Sequence, residues 1–257
     1  MKALVVYFSQ TGGTAQVARL IAAGLLAGGA TKADVRPIRQ VGPEEWLNYD
    51  LLGVGTPVFY YHEPPNVRDW IRRLAPRQRP APAFTFNTNG GNPCNTFRRL
   101  QRMLRPKGAH VTGSFECFGF DTYPIFMKSF RKWGHPDAAD LNAAESFGRQ
   151  AAADAARLIA GQPVPEPTYR FVGGKTFRLS IFCRKPILDW FFPALNVNHD
   201  RCIQCGACVR ACPTENIKLD PWPTMADRCI HCHLCERICP RNAIECDWRR
   251  LTKMMNP

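Results

Sequence analysis

Continuous apolar runs alternate with helically spaced ones along the first 160 residues. Residues 2–8 (KALVVYF) form one such run, the pattern of a parallel strand buried on both faces. The segment 15–26 then places Val17, Leu20, Ile21 and Leu25 at helical spacing, as a packed helix requires. Further strands are predicted over 35–38, 49–55, 82–87 and 110–118, and helices near 65–74, 95–104 and 141–159. Strand and helix therefore alternate through five units, an α/β arrangement. An insertion, 120–140, precedes the last helix. There Pro124 suits a helix start, and Ile125, Phe126, Phe130 and Trp133 share a face opposite Lys128, Arg131 and Lys132, a pattern open to a lid, a docking element or a cap.

The pattern changes at Gly161. GQPVPEP is proline-rich and semi-rigid, which puts a domain boundary near residue 162 and leaves 1–161 as the first domain. Residues 162–199 read as a strap of aromatic and basic residues, either fixing one domain against another or adsorbing at a membrane surface. Residues 200–257 make the last domain.

That last domain is an internal repeat. CIQCGACVRACPTENI, starting at Cys202, is answered by CIHCHLCERICPRNAI, starting at Cys229, and every cysteine and the proline recur. Each copy spells C-x2-C-x2-C-x3-C-P. Three thiolates two residues apart can close round one metal cage, with a fourth arriving from elsewhere. Zinc pairs usually lack the third evenly spaced cysteine, and disulfides suit exported chains, whereas this N-terminus reads as a first strand. Eight of the twelve cysteines lie in the repeat; Cys94, Cys117, Cys183 and Cys246 are scattered, as free thiols in a reducing compartment would be.

The repeat resembles bacterial ferredoxins with two 4Fe-4S clusters. By that resemblance one cluster takes Cys202, Cys205, Cys208 and Cys239, and the other Cys229, Cys232, Cys235 and Cys212. A segment this short buries little apolar surface, so the clusters would serve as its core, with Ile203, Ile217, Ile230 and Ile244 packed round them.

At the head of the chain, the turn after the first strand reads Ser9, Gln10, Thr11, Gly12, Gly13, Thr14. Hydroxyls, glycines and a helix start present donors to a phosphate, or simply cap the helix. The dinucleotide G-x-G-x-x-G fingerprint and the Walker lysine are absent. The turn resembles the FMN phosphate loop of flavodoxins, S/T-x-T-G-x-T, at Ser9, Thr11, Gly12 and Thr14. The resemblance implies a flavodoxin-like, doubly wound, five-stranded parallel sheet of order 2-1-3-4-5, with FMN at the carboxyl ends of its strands. The loop after the third strand (Thr56, Pro57, Val58, Phe59, Tyr60) would then wall the isoalloxazine, and the loop after the fourth (Asn87, Thr88, Asn89, Gly90, Gly91) would approach its pyrimidine edge. The alternative for these aromatics is a place in the core or at an interface. No glycine occurs between Thr56 and Asn89, unlike the flavodoxin loop whose glycine peptide turns towards reduced flavin.

Taken together, the chain resembles a flavodoxin-ferredoxin fusion: an α/β domain followed by a small α+β two-cluster ferredoxin domain. The resemblance implies an electron carrier in which FMN exchanges one or two electrons and the clusters move one at a time. An FMN-dependent reductase of a small acceptor such as a quinone, and a ferredoxin with a flavin-free docking domain, are the alternatives. No nicotinamide-binding domain or acid-base pair marks a self-sufficient oxidoreductase. The formal charge of +13 stays positive after two clusters and a flavin phosphate subtract about six charges. Steering therefore favours redox partners with an acidic docking face. No nucleic-acid module is present, and no apolar run reaches membrane-spanning length. A cytoplasmic location is expected, with peripheral membrane contact left open.

Overall fold

A computed structural model describes residues 1–120, 134–183 and 185–255. The predicted helix at Pro124 and its faces fall outside the described residues. The described chain divides into two compact units, one reaching to Ser180 and the other running from Ile181 onward.

The first unit alternates β1 (Lys2–Tyr7), α1 (Gly13–Ala27), β2 (Lys32–Pro37), β3 (Leu51–Pro57), α2 (Pro65–Arg73), β4 (Ala81–Asn89), α3 (Thr96–Leu104), β5 (Ala109–Phe118) and α4 (Ala138–Ile159). Its sheet has the order β2-β1-β3-β4-β5, and every pairing is parallel. This is the doubly wound, flavodoxin-like sheet. The apolar runs become its inner strands, since helices cover both faces and leave no polar side.

β3 runs over Leu51–Pro57 rather than 49–55, so Thr56 and Pro57 lie on the strand and not in the loop; three further boundaries move for a tertiary reason. The edge strand β2 begins at Lys32, where polar residues hide the pattern but pairing with β1 continues. β4 extends to Asn89 because Thr88 pairs with Pro57 and Asn89 with Phe118, so residues expected in a loop lie on the strand. α4 starts earlier than its apolar periodicity, at a capping box in which the Asp137 carboxylate accepts from the Asp140 backbone and Asp140 reciprocates.

The strap divides between the units. Its first part lines the first unit: Gln101 donates to the Pro167 carbonyl, Tyr169 stacks on Phe97, and Asn95 bonds both backbone groups of Val172. Its second part forms helices that the aromatic interleaving concealed. α5 (Gly174–Phe182) is followed by α6 (Lys185–Phe191), β6 (Leu195–Val197), α7 (Ala207–Ala211), β7 (Ile217–Leu219), β8 (Pro223–Met225), α8 (Leu234–Ile238), β9 (Ile244–Cys246) and α9 (Arg249–Met255). β6 pairs with β9 and β7 with β8, both antiparallel. No helix among the described residues is long and apolar enough to cross a membrane.

One contact fixes the first unit's helical layer. α1 and α4 meet through Gly24 and Gly148, with Ala144, Ala151, Ala152 and Ala155 buried along the same face. A Cβ on Gly24 would lie 2.0 Å from the Glu145 carbonyl oxygen, and one on Gly148 2.1 Å from that of Ile21. Backbone rather than a side-chain tip is in the way, so the helices would have to separate. Gly148→Ala should therefore destabilise the first unit by about 1–3 kcal/mol. Hydrogen exchange of the α1 and α4 amides measures this, and unchanged protection would exclude the contact as a constraint.

Candidate functional site

The three segments singled out at the head of the chain converge on one edge. Ser9–Thr14 follows β1, Thr56–Tyr60 closes β3 and Asn87–Gly91 closes β4. These are carboxyl ends of parallel strands, flanking the point between β1 and β3 where the strand order reverses, the usual location of a ligand crevice.

Thr88 ties them together. Its hydroxyl lies 2.7 Å from that of buried Thr14, and its carbonyl accepts from Val58 N–H at 3.0 Å. In the first loop Gly12 has φ +99° with nothing near its would-be Cβ, and its N–H donates to Ser9 Oγ at 3.1 Å. The fifteen-residue α1 starts beside it with no acidic residue in its first turn, so the positive end of its dipole is uncompensated there. In the second loop Phe59 and His62 exchange both backbone hydrogen bonds. Between them Tyr60 and Tyr61 have φ +51° and +68°, conformations that glycine or asparagine adopts more cheaply. Two bulky residues held there at a cost are the kind of strain found at binding loops.

In the third loop Asn87 is fully buried and accepts from Asn89, which also donates to Glu116 and receives Gly91 N–H. Asn87 Nδ2 is buried with no protein acceptor among the described residues. A donor left so is costly unless a ligand completes it. Open glycine, uncompensated helix start and orphaned amide together fit a flavin phosphate and ring.

The sequence reading missed the acidic group behind the second loop. Glu63 is fully buried and takes two hydrogen bonds from Arg99, at 2.8 and 2.7 Å, and one from Arg68 at 3.0 Å. Burial pushes its carboxyl upward, but the two guanidinium groups outweigh that and hold it below the ordinary carboxylate value. Its neighbour His62 bonds the Ser180 carbonyl at 2.7 Å, and burial lowers its imidazole. No motif marks either residue.

In the second unit the backbone repeats with the sequence. Gln204 and His231, Gly206 and His233, and Glu215 and Asn242 form equivalent pairs, all with positive φ. Cys212 Sγ accepts from Asn216 N–H at 3.2 Å, and Cys239 Sγ from Ala243 N–H at 3.1 Å. Cys202, Cys205, Cys208 and Cys239 line one open hollow. Burial first, then the charges of Cys229 and Cys212, push Cys232 up to about 12, and the same surroundings raise Cys235. The charge of Cys212 is thus felt at two thiols of the other copy, Cys232 and Cys235. Burial opposes ionisation of Cys239 too, but backbone N–H groups of Ala243, Arg241 and Ile244 and the Arg201 charge bring it below the usual thiol value. Four sulfurs converging from two directions fit a cubane better than a disulfide framework. Of the four isoleucines expected round the clusters, Ile217, Ile230 and Ile244 are buried, whereas Ile203 is 55% exposed.

Comparison with known proteins accounts for both units. Residues 4–119 match the family described as a flavodoxin domain, and residues 201–243 match a 4Fe-4S dicluster domain. The chain belongs to the flavodoxin-ferredoxin fusion family. An uncharacterised protein of Methanocaldococcus jannaschii is 30% identical over 153 residues, which cover 58% of this fusion and 97% of that protein. An archaeal flavodoxin structure shares 18% identity over 61% of the fusion and 99% of its own chain, with a TM-score of 0.44. The Streptococcus pneumoniae TIGR4 flavodoxin shares 19% over 60% and 99%, with a TM-score of 0.47. A flavodoxin domain joined to a 4Fe-4S domain supports an electron-transfer role for the fusion.

The Glu63 site can be tested in two ways. Glu63→Gln leaves Arg99 and Arg68 without their counter-charge and should cost about 3–5 kcal/mol in denaturant unfolding of the first unit; a change under about 1 kcal/mol contradicts the pairing. The imidazole of His62 is lowered from its ordinary 6.5, so its contribution to stability is present above pH 6.5 and lost as pH falls through the folded value. Protection of the β3 amides should decline below pH 6.5 in the wild type, and less steeply in His62→Gln.

Proposed function

We propose that this fusion is an electron carrier in which FMN and two 4Fe-4S clusters exchange electrons with each other and with a docked redox protein. The single observation that supports the reading is that Cys239, from the second copy, lines one hollow with Cys202, Cys205 and Cys208 of the first. In this reading Cys202, Cys205, Cys208 and Cys239 hold one cluster, and Cys229, Cys232, Cys235 and Cys212 the other. When bound, the clusters supply one-electron steps and the flavin supplies the junction between one- and two-electron chemistry.

The chain's own residues bind and orient. Ser9, Gln10, Thr11, Gly12, Gly13 and Thr14 take the FMN phosphate with backbone N–H groups and hydroxyls at the start of α1. Thr56, Pro57, Val58, Phe59 and Tyr60 wall one side of the ring, with the Phe59 ring set edge-on to Phe8 at 6.0 Å. Asn87, Thr88, Asn89, Gly90 and Gly91 meet the polar edge, where the unpartnered Asn87 amide supports a donated hydrogen bond. The backbone at Tyr60 and Tyr61 already has positive φ without glycine, and turning a peptide there towards reduced flavin would need bulky residues to change basin. The redox partner is an acidic protein, in keeping with the net charge of +13, and the reducing cytoplasm suits the eight thiolates.

Chain purified anaerobically and reconstituted with iron and sulfide should carry about one FMN and about eight irons. Loss of flavin alone would leave the docking-domain alternative; zinc or far fewer irons would overturn the proposal. Cys239→Ser should abolish or perturb the EPR signal of the cluster held by Cys202, Cys205 and Cys208 while sparing the other. Loss of the opposite signal would mean that the ligands are not crossed.

A further inference from the structure

The two cysteine copies share a backbone but not a cover. In the second copy Ile230 is 6% exposed and His233 3%. His231 lies 4.8 Å and His233 5.8 Å from the Phe192 ring, Trp248 meets His233 edge-on at 4.5 Å, and His231 Nε2 is 2.8 Å from the Asp189 carboxylate. Residues 189–192, at the end of the strap, thus form a lid over this loop together with the indole that follows β9. In the first copy Gln204 stands where the lidded copy has His231, and Gly206 where it has His233. Ile203, Gln204 and Cys205 are all exposed. The difference in cover comes from side chains, since the positive-φ positions coincide.

We propose that the loop 203–206 is the port through which the iron–sulfur unit exchanges electrons with its partner, and that this partner presents an acidic face. The inference rests on the reading that both copies hold clusters, and adds which of them meets the partner. Electron transfer falls steeply with distance, so a partner docks productively where the protein shell over a cluster is thinnest. Ile203 supplies an exposed apolar centre. The guanidinium of Arg210 donates to the Cys205 carbonyl at 3.1 Å, and exposed Arg241 lines the same hollow, whose lining contains no carboxylate. Arg201 stands nearby, paired with Glu245. An apolar centre with a cationic rim selects an acidic redox protein and orients it on approach. The loop of the lidded copy offers no such opening: Ile230, at the place of Ile203, is buried, and the exposed apolar residues Trp190 and Ile238 lie outside that loop.

The test uses iron-loaded full-length chain, reduced with dithionite, freed of excess reductant, and mixed at low ionic strength with an oxidised flavodoxin of net negative charge. Arg241→Glu and Ile203→Glu should each lower the second-order rate about tenfold, an effect that added salt diminishes. Arg237→Glu, on the α8 side, and Arg79→Glu, exposed on the first unit, should change it by less than about twofold. Equal losses in all four variants, or the largest loss in Arg237→Glu, would overturn the port. A second measurement needs no variant: wild-type holoprotein is treated anaerobically with a water-soluble iron(II) chelator, and freed thiols are alkylated and mapped by mass spectrometry. Cys205 should be labelled before Cys232, and the reverse order overturns the proposal. A chain that takes up no iron would instead overturn the cluster reading beneath it.

Discussion

A parallel sheet covered by helices on both faces leaves its carboxyl edge as the place where backbone donors and side chains can meet a ligand. In the first unit β1, β3 and β4 are buried along almost their whole length, so the loop leaving each of these strands is forced onto that edge. The three loops lie at one edge, beside the point between β1 and β3 where the strand order reverses. Thr88, at the end of β4, then joins them by one side-chain and one backbone hydrogen bond. The tightness of the helical layer behind them, where α1 and α4 touch backbone to backbone at Gly24 and Gly148, keeps the start of α1 directed at the crevice.

The second unit is held by a different constraint. It has short two-stranded ladders and a small apolar cluster made of Cys208, Ile217, Cys235 and Ile244, too little to stabilise so short a segment by burial alone. Its order comes from the repeat: paired left-handed residues turn the chain at equivalent places, and Cys212 and Cys239 each receive a backbone N–H at the same relative position. In the proposed cluster reading, exchange of the fourth cysteine between copies would link the halves. Duplication also creates a symmetry that function can break. The ring-bearing residues His231 and His233, with Phe192 and Trp248 over them, break it on one side only.

Buried charge marks the boundary between packing and chemistry in the first unit. Glu63 has no access to solvent and survives as a carboxylate because Arg99 grips it with two hydrogen bonds and Arg68 adds a third. Such a triad contributes little net stability relative to apolar packing, but it is costly to break in part. It lies directly behind the turn that carries Tyr60 and Tyr61. The triad therefore anchors a loop whose own backbone conformation is unfavourable.

Local pattern was enough for the first unit's strands and its helices α1 to α4, and for the cysteine copies. Apolar runs and helical spacing are set by neighbours within a few residues, which is why the five strands, four helices and the C-x2-C-x2-C-x3-C-P repeat were legible in order. The phosphate-type turn was legible for the same reason, as six consecutive residues of the right chemistry. The extension of β4 to Asn89, the tie at Thr88 and the Glu63 triad were not, because each depends on residues 25 or more positions away that only the folded sheet brings within bonding distance. The exposed Ile203 and the buried Ile230 occupy the same place in the repeat, and sequence alone treats them alike. Tertiary structure separated them, because Phe192 of the strap and Trp248 after β9 settle over one copy and leave the other open to water.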